Sequence, residues 1–149
     1  MAHYTENRKV YFNYEILEKY EAGIELLGIE VKSIRNRKMS LEGAFVIIRG
    51  GEAFLINANI PPYQPNNAPK DYDPLRNKKL LLTKKEIATL TGSEKNKSLT
   101  IVPISVYNKG RKIKVEIALV KGKKKQDKRE TIKKRETDRE IRREIRSKE

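Results

Sequence analysis

The chain reads as mainly β with small helices: a small barrel of the oligonucleotide-binding type, followed by a basic C-terminal tail that is disordered or helical. Three observations predict this. One long segment alternates apolar and polar residues, two later pairs of apolar runs are joined by turn-forming residues, and the end of the chain carries charge but almost nothing to build a core. One long bent strand plus two hairpins closes most economically as a barrel; a two-layer α+β sandwich is the alternative arrangement.

The long segment runs from Phe12 to Leu26. Its even positions read Phe12, Tyr14, Ile16, Glu18, Tyr20, Ala22, Ile24 and Leu26, while the odd ones are nearly all polar. Period two is the signature of a strand with one buried face. Gly23 lies inside it, where a bulge or sharp bend is expected, and a bend lets one strand serve both sides of a barrel. The residues before about Lys9 are polar and read as loose.

Leu27, Val31 and Ile34 then fall four and three apart, which predicts a short helix from about Gly28 to Arg37 with Lys32 and Arg35 on its outer face. Ala44–Arg49 and Glu52–Ile60 read as strands joined by Gly50-Gly51, because primed hairpin turns need positive φ. Residues 61–78 hold Pro61, Pro62, Pro65, Pro69 and Pro74 and predict a long irregular loop. Leu80–Leu82 ends that loop. Thr83 caps a helix reaching to about Gly92, with Glu86 in the capping-box position. Leu99–Tyr107 and Lys112–Val120 form a second hairpin around Asn108–Arg111, and Pro103 places its strand at an edge or bulge.

The 149 residues carry a net charge of +14, and they divide into a body, 1–120, and a tail, 121–149. The tail has 14 Lys and Arg against 7 Asp and Glu, so it supplies half of the excess charge. Its pairs Glu130–Lys134, Asp138–Arg142 and Glu144–Lys148 each support a helix by about 0.2–0.5 kcal/mol. That makes a helix available without securing it in isolation, so order is expected only beside a polyanion. Basic charge on both parts favours phosphate-rich partners. Cysteine is absent, which excludes disulfides and thiolate metal sites. The polar N-terminus and the lack of a long apolar run point away from export and from a membrane, and toward the cytoplasm.

Chemistry finds little to work with. His3 is the lone histidine, so neither a Ser-His-Asp nor a Cys-His set can be assembled, and no phosphate-loop glycine pattern occurs. Glu21, Glu25 and Glu30 come close together in sequence, as metal-ion nucleases require, but solvated strand glutamates do the same; Asp71 and Asp73 read as turn residues. The expectation is no enzyme, no cofactor and no metal. Binding is better supplied: Asn7, Arg8 and Lys9, then Lys32 and Arg35, then Arg76, Lys78 and Lys79, and finally Lys112 and Lys114 would meet phosphates, while Tyr11, Tyr63 or Tyr107 would stack on bases.

Five stretches then fall in one order: Asn7-Arg8-Lys9, EAGIELLGIEVKSIR (Glu21–Arg35), NIPPY (Asn59–Tyr63), DPLRNKKLLL (Asp73–Leu82) and GKKKQDKRET (Gly122–Thr131). Together they resemble the small protein B family, the SsrA-binding proteins of bacterial trans-translation, across nearly the whole chain. The resemblance implies an oligonucleotide-binding-type barrel that binds the tRNA-like domain of transfer-messenger RNA and delivers it to ribosomes stalled without a stop codon. It implies a monomer whose partners are that RNA, elongation factor Tu through the RNA, and the ribosome at its small-subunit rRNA, decoding region and messenger channel. By matching positions, Glu21, Leu81 and Lys114 carry over as RNA contacts. Gly122, Lys123, Lys124, Asp127, Lys128 and Arg129 match the tail's ribosome-contact motif, with the tail lying in the empty messenger channel. Asn59 and Gln126 depart from the family pattern, in which histidine is common at the first position and histidine or tyrosine at the second.

Overall fold

The computed structural model describes residues 3–64, 66 and 68–122. Its elements are β1 (His3–Glu6), α1 (Lys9–Asn13), β2 (Tyr14–Ile24), α2 (Gly28–Arg35), β3 (Phe45–Arg49), β4 (Glu52–Ile56), β5 (Lys78–Leu81), α3 (Lys84–Glu94), β6 (Leu99–Lys109) and β7 (Lys112–Gly122). Every pairing is antiparallel. The order β6-β3-β4-β5-β2-β7 returns to β6 through the β6–β7 hairpin, so six strands close a ring and β1 adds to the outside edge of β6. The predicted closure is there, and the mainly β class with it.

Both hairpins follow from their turns. Gly50 and Gly51 adopt φ of 59° and 74° between the paired Arg49 and Glu52, the positive-φ turn that their glycines predicted. Gly110, at φ 63°, does the same between Lys109 and Lys112. Along β7 the inward set Val115, Ile117 and Leu119 enters the core with Leu55, Ile60 and Leu80. A second, smaller cluster forms outside the ring, where Val10 of α1 covers Val102, Ile104, Ala118 and Val120.

The seam between β3 and β6 is the thinnest in the ring, with the one register pair Val46–Ile101. α3 lies across it, and the Glu94 carboxylate accepts from the Ile48 N–H at 3.0 Å. The start of α3 is as predicted: Thr83 Oγ1 accepts from the Glu86 N–H at 3.1 Å while Glu86 Oε1 accepts from the Thr83 N–H at 3.0 Å. Pro103 sits where β6 has no partner needing its missing N–H: β3 pairs at Ile101, β1 from Ser105 onward, and the β6–β7 register shifts between Pro103 and Ser105.

Six expectations are corrected. The N-terminus is not loose, because His3–Glu6 pairs its backbone along β6. The long strand begins at Tyr14, not Phe12, since α1 uses the preceding residues to bury Val10. Its bulge falls between Ile16 and Glu18 rather than at Gly23. The first helix stops at Arg35: Arg37 takes φ of 61°, and the N–H groups of Arg37 and Lys38 bond back to Ile34 and Ser33, a left-handed cap. β4 ends at Ile56 because Asn57 also turns to φ of 61°. β7 continues through Gly122. The expectations for residues 123–149, including Lys123, Lys124, Asp127, Lys128 and Arg129, lie outside the described residues.

Candidate nucleic-acid interface

The site begins at the place where β2 changes partner. Gly23 pairs with Lys114 of β7 on one side and Leu81 of β5 on the other, so this one strand does serve two neighbours. A glycine is needed there for close approach: a Cβ at position 23 would stand 3.2 Å from the Leu81 Cβ. Beside this junction opens a groove of about 360 Å³, whose walls include Arg35, Leu81, Arg111, Lys112 and Lys114. Four sequence-predicted residues thus come together from three elements. Leu81 remains 49% exposed at the groove's lip. Arg35 is held across the groove by donating from Nη2 to the Arg111 carbonyl at 3.3 Å.

Glu21 lies two residues before Gly23, on the outer face of β2. The buried Tyr107 hydroxyl donates to its Oε2, and Lys109 Nζ donates to Oε1 at 3.1 Å. The Tyr107 hydrogen bond first, then that of Lys109, with the fields of Lys109 and Lys114 adding, hold the Glu21 carboxyl below its ordinary range. Burial and the same carboxylate push the Tyr107 hydroxyl up. Tyr107 is only 4% exposed, so it packs against the body and does not stack on a base. Further along the same face, Lys19 lies 3.6 Å from the Glu116 carboxylate and 5.5 Å from the Tyr11 ring centroid. Tyr11, partly exposed, shares a shallow hollow with Arg8, Asn7 and Glu116. The outer face of β2 therefore joins the groove to the N-terminal group.

Asn7 reaches the Leu41 carbonyl at 3.4 Å, Lys9 pairs with Glu42, and Arg8 sits 3.7 Å from Glu6. Lys32 and Arg35 part company: Arg35 faces the groove, whereas Lys32 lines a hollow with Tyr63 on the other side of α2, where Lys38 covers the Tyr63 ring. Lys79 is half-buried on β5 and pairs with Glu52 at 3.1 Å. The three glutamates weighed as a cation site do not assemble into one among the described residues.

Lys78 is the clearest correction, and Arg76 beside it is engaged in an ion pair. Lys78 is fully buried, its ammonium donating to the Ala58 carbonyl at 2.6 Å and the Pro74 carbonyl at 3.2 Å. Burial pulls its pKa down to about 8. Arg76 turns inward onto the fully buried Glu30, with Nη2 at 2.6 Å from Oε1. Glu30 Oε1 also accepts from the Leu27 N–H at 2.7 Å and so starts α2. With Ser33 donating to Pro61 and Tyr72 to Ile60, these groups pin the proline-rich loop to α2. The signal for Lys78 was present in the alternation, since it shares the inward face of β5 with Leu80. Residues that charge spacing passed over are Lys19, Lys109 and Arg111, each placed beside the site by strand pairing rather than by sequence proximity.

The model of the SmpB protein family matches residues 4–147. The chain belongs to the SmpB family. Two relatives, both SsrA-binding proteins, show how close the likeness is. That of Gloeothece citriformis is 50% identical over 139 residues, 93% of this chain and 90% of that one. That of Mesoplasma florum is 56% identical over 133 residues, 89% of each. Among solved structures, a chain from "tmRNA-SmpB: a journey to the center of the bacterial ribosome" superposes with a TM-score of 0.68 at 42% identity, covering 86% of this chain and 93% of that one. Of the residues that the SmpB resemblance carried over, Leu81 and Lys114 line one groove and Glu21 stands at its edge, two residues from Gly23.

Proposed function

We propose that this chain is a non-enzymatic, cytoplasmic RNA-binding adaptor that binds the tRNA-like domain of transfer-messenger RNA and carries it to stalled ribosomes for trans-translation. The observation that carries the reading is the groove at Gly23, where Arg35, Lys112 and Lys114 surround an exposed leucine in a member of the SmpB family. Cations spaced on rigid strands meet backbone phosphates, and Leu81 offers an apolar face to a sugar or an unstacked base. The solved relative was studied with tmRNA at the ribosome, which supports both partners. The tail, 121–149, with its excess of basic residues, enters the unoccupied messenger channel and is excluded by a messenger strand already there. Lys123, Lys124, Asp127, Lys128 and Arg129 are its proposed rRNA contacts, beginning directly after the last residue of β7.

Competition binding tests the reading. A labelled tRNA-like domain should be displaced by itself at least about tenfold more readily than by unrelated tRNA or RNA duplex, a gap of about 1.4 kcal/mol. Equal displacement by all three would reduce the protein to a general polyanion binder. Removing residues 123–149 should leave this binding within about twofold while abolishing rescue in a reconstituted stalled-ribosome assay, and equal loss of both would refute the division between body and tail.

A further inference from the structure

A carboxylate beside a phosphate-binding groove is a puzzle, because Coulomb repulsion makes Glu21 unfavourable for RNA by itself. Its surroundings offer a resolution. Tyr107 holds one oxygen and Lys109 the other, so each carboxylate oxygen already faces a protein donor. Lys109 is paired across the hairpin with Lys112, which lines the groove, and Tyr107 with Lys114, which does too. Three residues of one hairpin end therefore act on a single carboxylate, Tyr107 and Lys109 by hydrogen bonds and Lys114 by its field, with Lys112 next to them on the groove wall. The Lys109 side chain stays 60% exposed even while bonded. A long, flexible lysine at a turn loses considerable rotamer freedom when it binds phosphate, and a fixed carboxylate removes that cost beforehand.

We infer that Lys109 is a further phosphate-contacting residue of this interface, and that Glu21 acts on RNA by positioning Lys109 rather than by touching a base. The Tyr107 hydroxyl fixes the Glu21 carboxylate, the carboxylate holds the Lys109 ammonium at the end of the groove, and the ligand is an RNA phosphate between Lys109 and the Lys112–Lys114 wall. This inference rests on the proposed RNA-binding reading and names a contact within it. Lys109 and Tyr107 stand in different roles: the first meets RNA, the second is a positioning residue two bonds removed.

The test is a double-mutant cycle on the full chain with a labelled tRNA-like domain, measuring Kd against KCl concentration. Lys109→Ala should weaken binding about fivefold and lower the salt slope by about 0.7–0.9, one phosphate contact, while Lys109→Arg keeps the slope. Glu21→Gln should weaken binding about threefold although it adds one unit of positive charge; in the Lys109→Ala background the same change should alter Kd less than about 1.5-fold. Tyr107→Phe should follow Glu21→Gln in Kd while melting within a few degrees of the parent. Tighter binding by Glu21→Gln would mean simple repulsion, and an undiminished loss in the Lys109→Ala background would mean that Glu21 meets the RNA itself. Either result, or an unchanged slope for Lys109→Ala, overturns the inference. The unmutated chain's preference for the tRNA-like domain over duplex is read from the same titrations, so failure of the broader reading is seen separately.

Discussion

Replacing Arg76 by Met isolates the buried ion pair that ties the proline-rich loop to α2. Methionine keeps much of the apolar stem and removes the guanidinium, which gives Glu30 two hydrogen bonds, from Nη2 at 2.6 Å and Nε at 3.4 Å. The carboxylate left behind is fully buried. Removing one partner of a buried pair destabilises a protein by about 3–5 kcal/mol, chiefly through the uncompensated charge. Three features move this case to the lower end. The Leu27 N–H still donates to Oε1, Arg76 is itself 35% exposed so that water can enter where it stood, and the nearby Lys78 ammonium gains from the loss of its cationic neighbour. The expected loss is therefore about 3 kcal/mol. Equilibrium urea unfolding at pH 7 measures it as a lower midpoint with an unchanged slope. The double variant Glu30→Gln with Arg76→Met should recover at least about 1 kcal/mol, since a neutral amide still accepts from Leu27 and leaves no buried charge. A loss below about 1 kcal/mol for Arg76→Met, or no recovery in the double variant, would refute the view that an unpaired carboxylate sets the cost.

Lys78 gives the alkaline limb of stability a definite sign. Its folded pKa of about 8 lies below the ordinary lysine value of 10.5, so between these values the unfolded chain binds more protons and stability rises with pH. The burden of burying the ammonium, roughly 3 kcal/mol in full, is present below about pH 8 and is relieved toward pH 10.5. Urea midpoints from pH 7.5 to 9.5 should climb for the parent and stay nearly flat for Lys78→Met; parallel curves would assign the rise elsewhere. Gly23→Ala places a methyl 3.2 Å from the Leu81 Cβ, and the strand must give by a few tenths of an ångström. The expected results are about 1 kcal/mol lower stability and severalfold weaker RNA binding through the displaced Leu81; parent-like affinity alongside the stability loss would remove Leu81 from the interface.

Local chemistry carried most of the fold into the sequence. Gly50-Gly51 declared its hairpin, Thr83 and Glu86 declared their helix, and the alternation through β7 declared its inward face. β1 escaped because a short edge strand is held by backbone hydrogen bonds to β6, which polar side chains do not reveal. α1 escaped because Phe12 fits the period of the strand that follows it. The candidate binding residues divided on the same principle. Arg35, Leu81, Lys112 and Lys114 were found by charge and motif and do converge, while the inward turn of Arg76 depends on Glu30, far away in sequence. Lys109, and the contact of Tyr107 with Glu21, became visible only when β6, β7 and β2 were laid side by side.

The β2–β7 ladder has one consequence for how the molecule works at a distance. Its register runs from Gly23–Lys114, at the groove, to Tyr14–Gly122, where the described residues end, and the bulge at Ile16–Glu18 takes up the one residue by which the β2 side of this paired span exceeds the β7 side. At the usual strand rise that span is roughly 25–30 Å. Groove and Gly122 thus sit at opposite ends of a stiff two-ply bar, which under the proposed function fixes the distance from the RNA held at one end to the start of residues 123–149 at the other. The body is a ruler as well as a clasp.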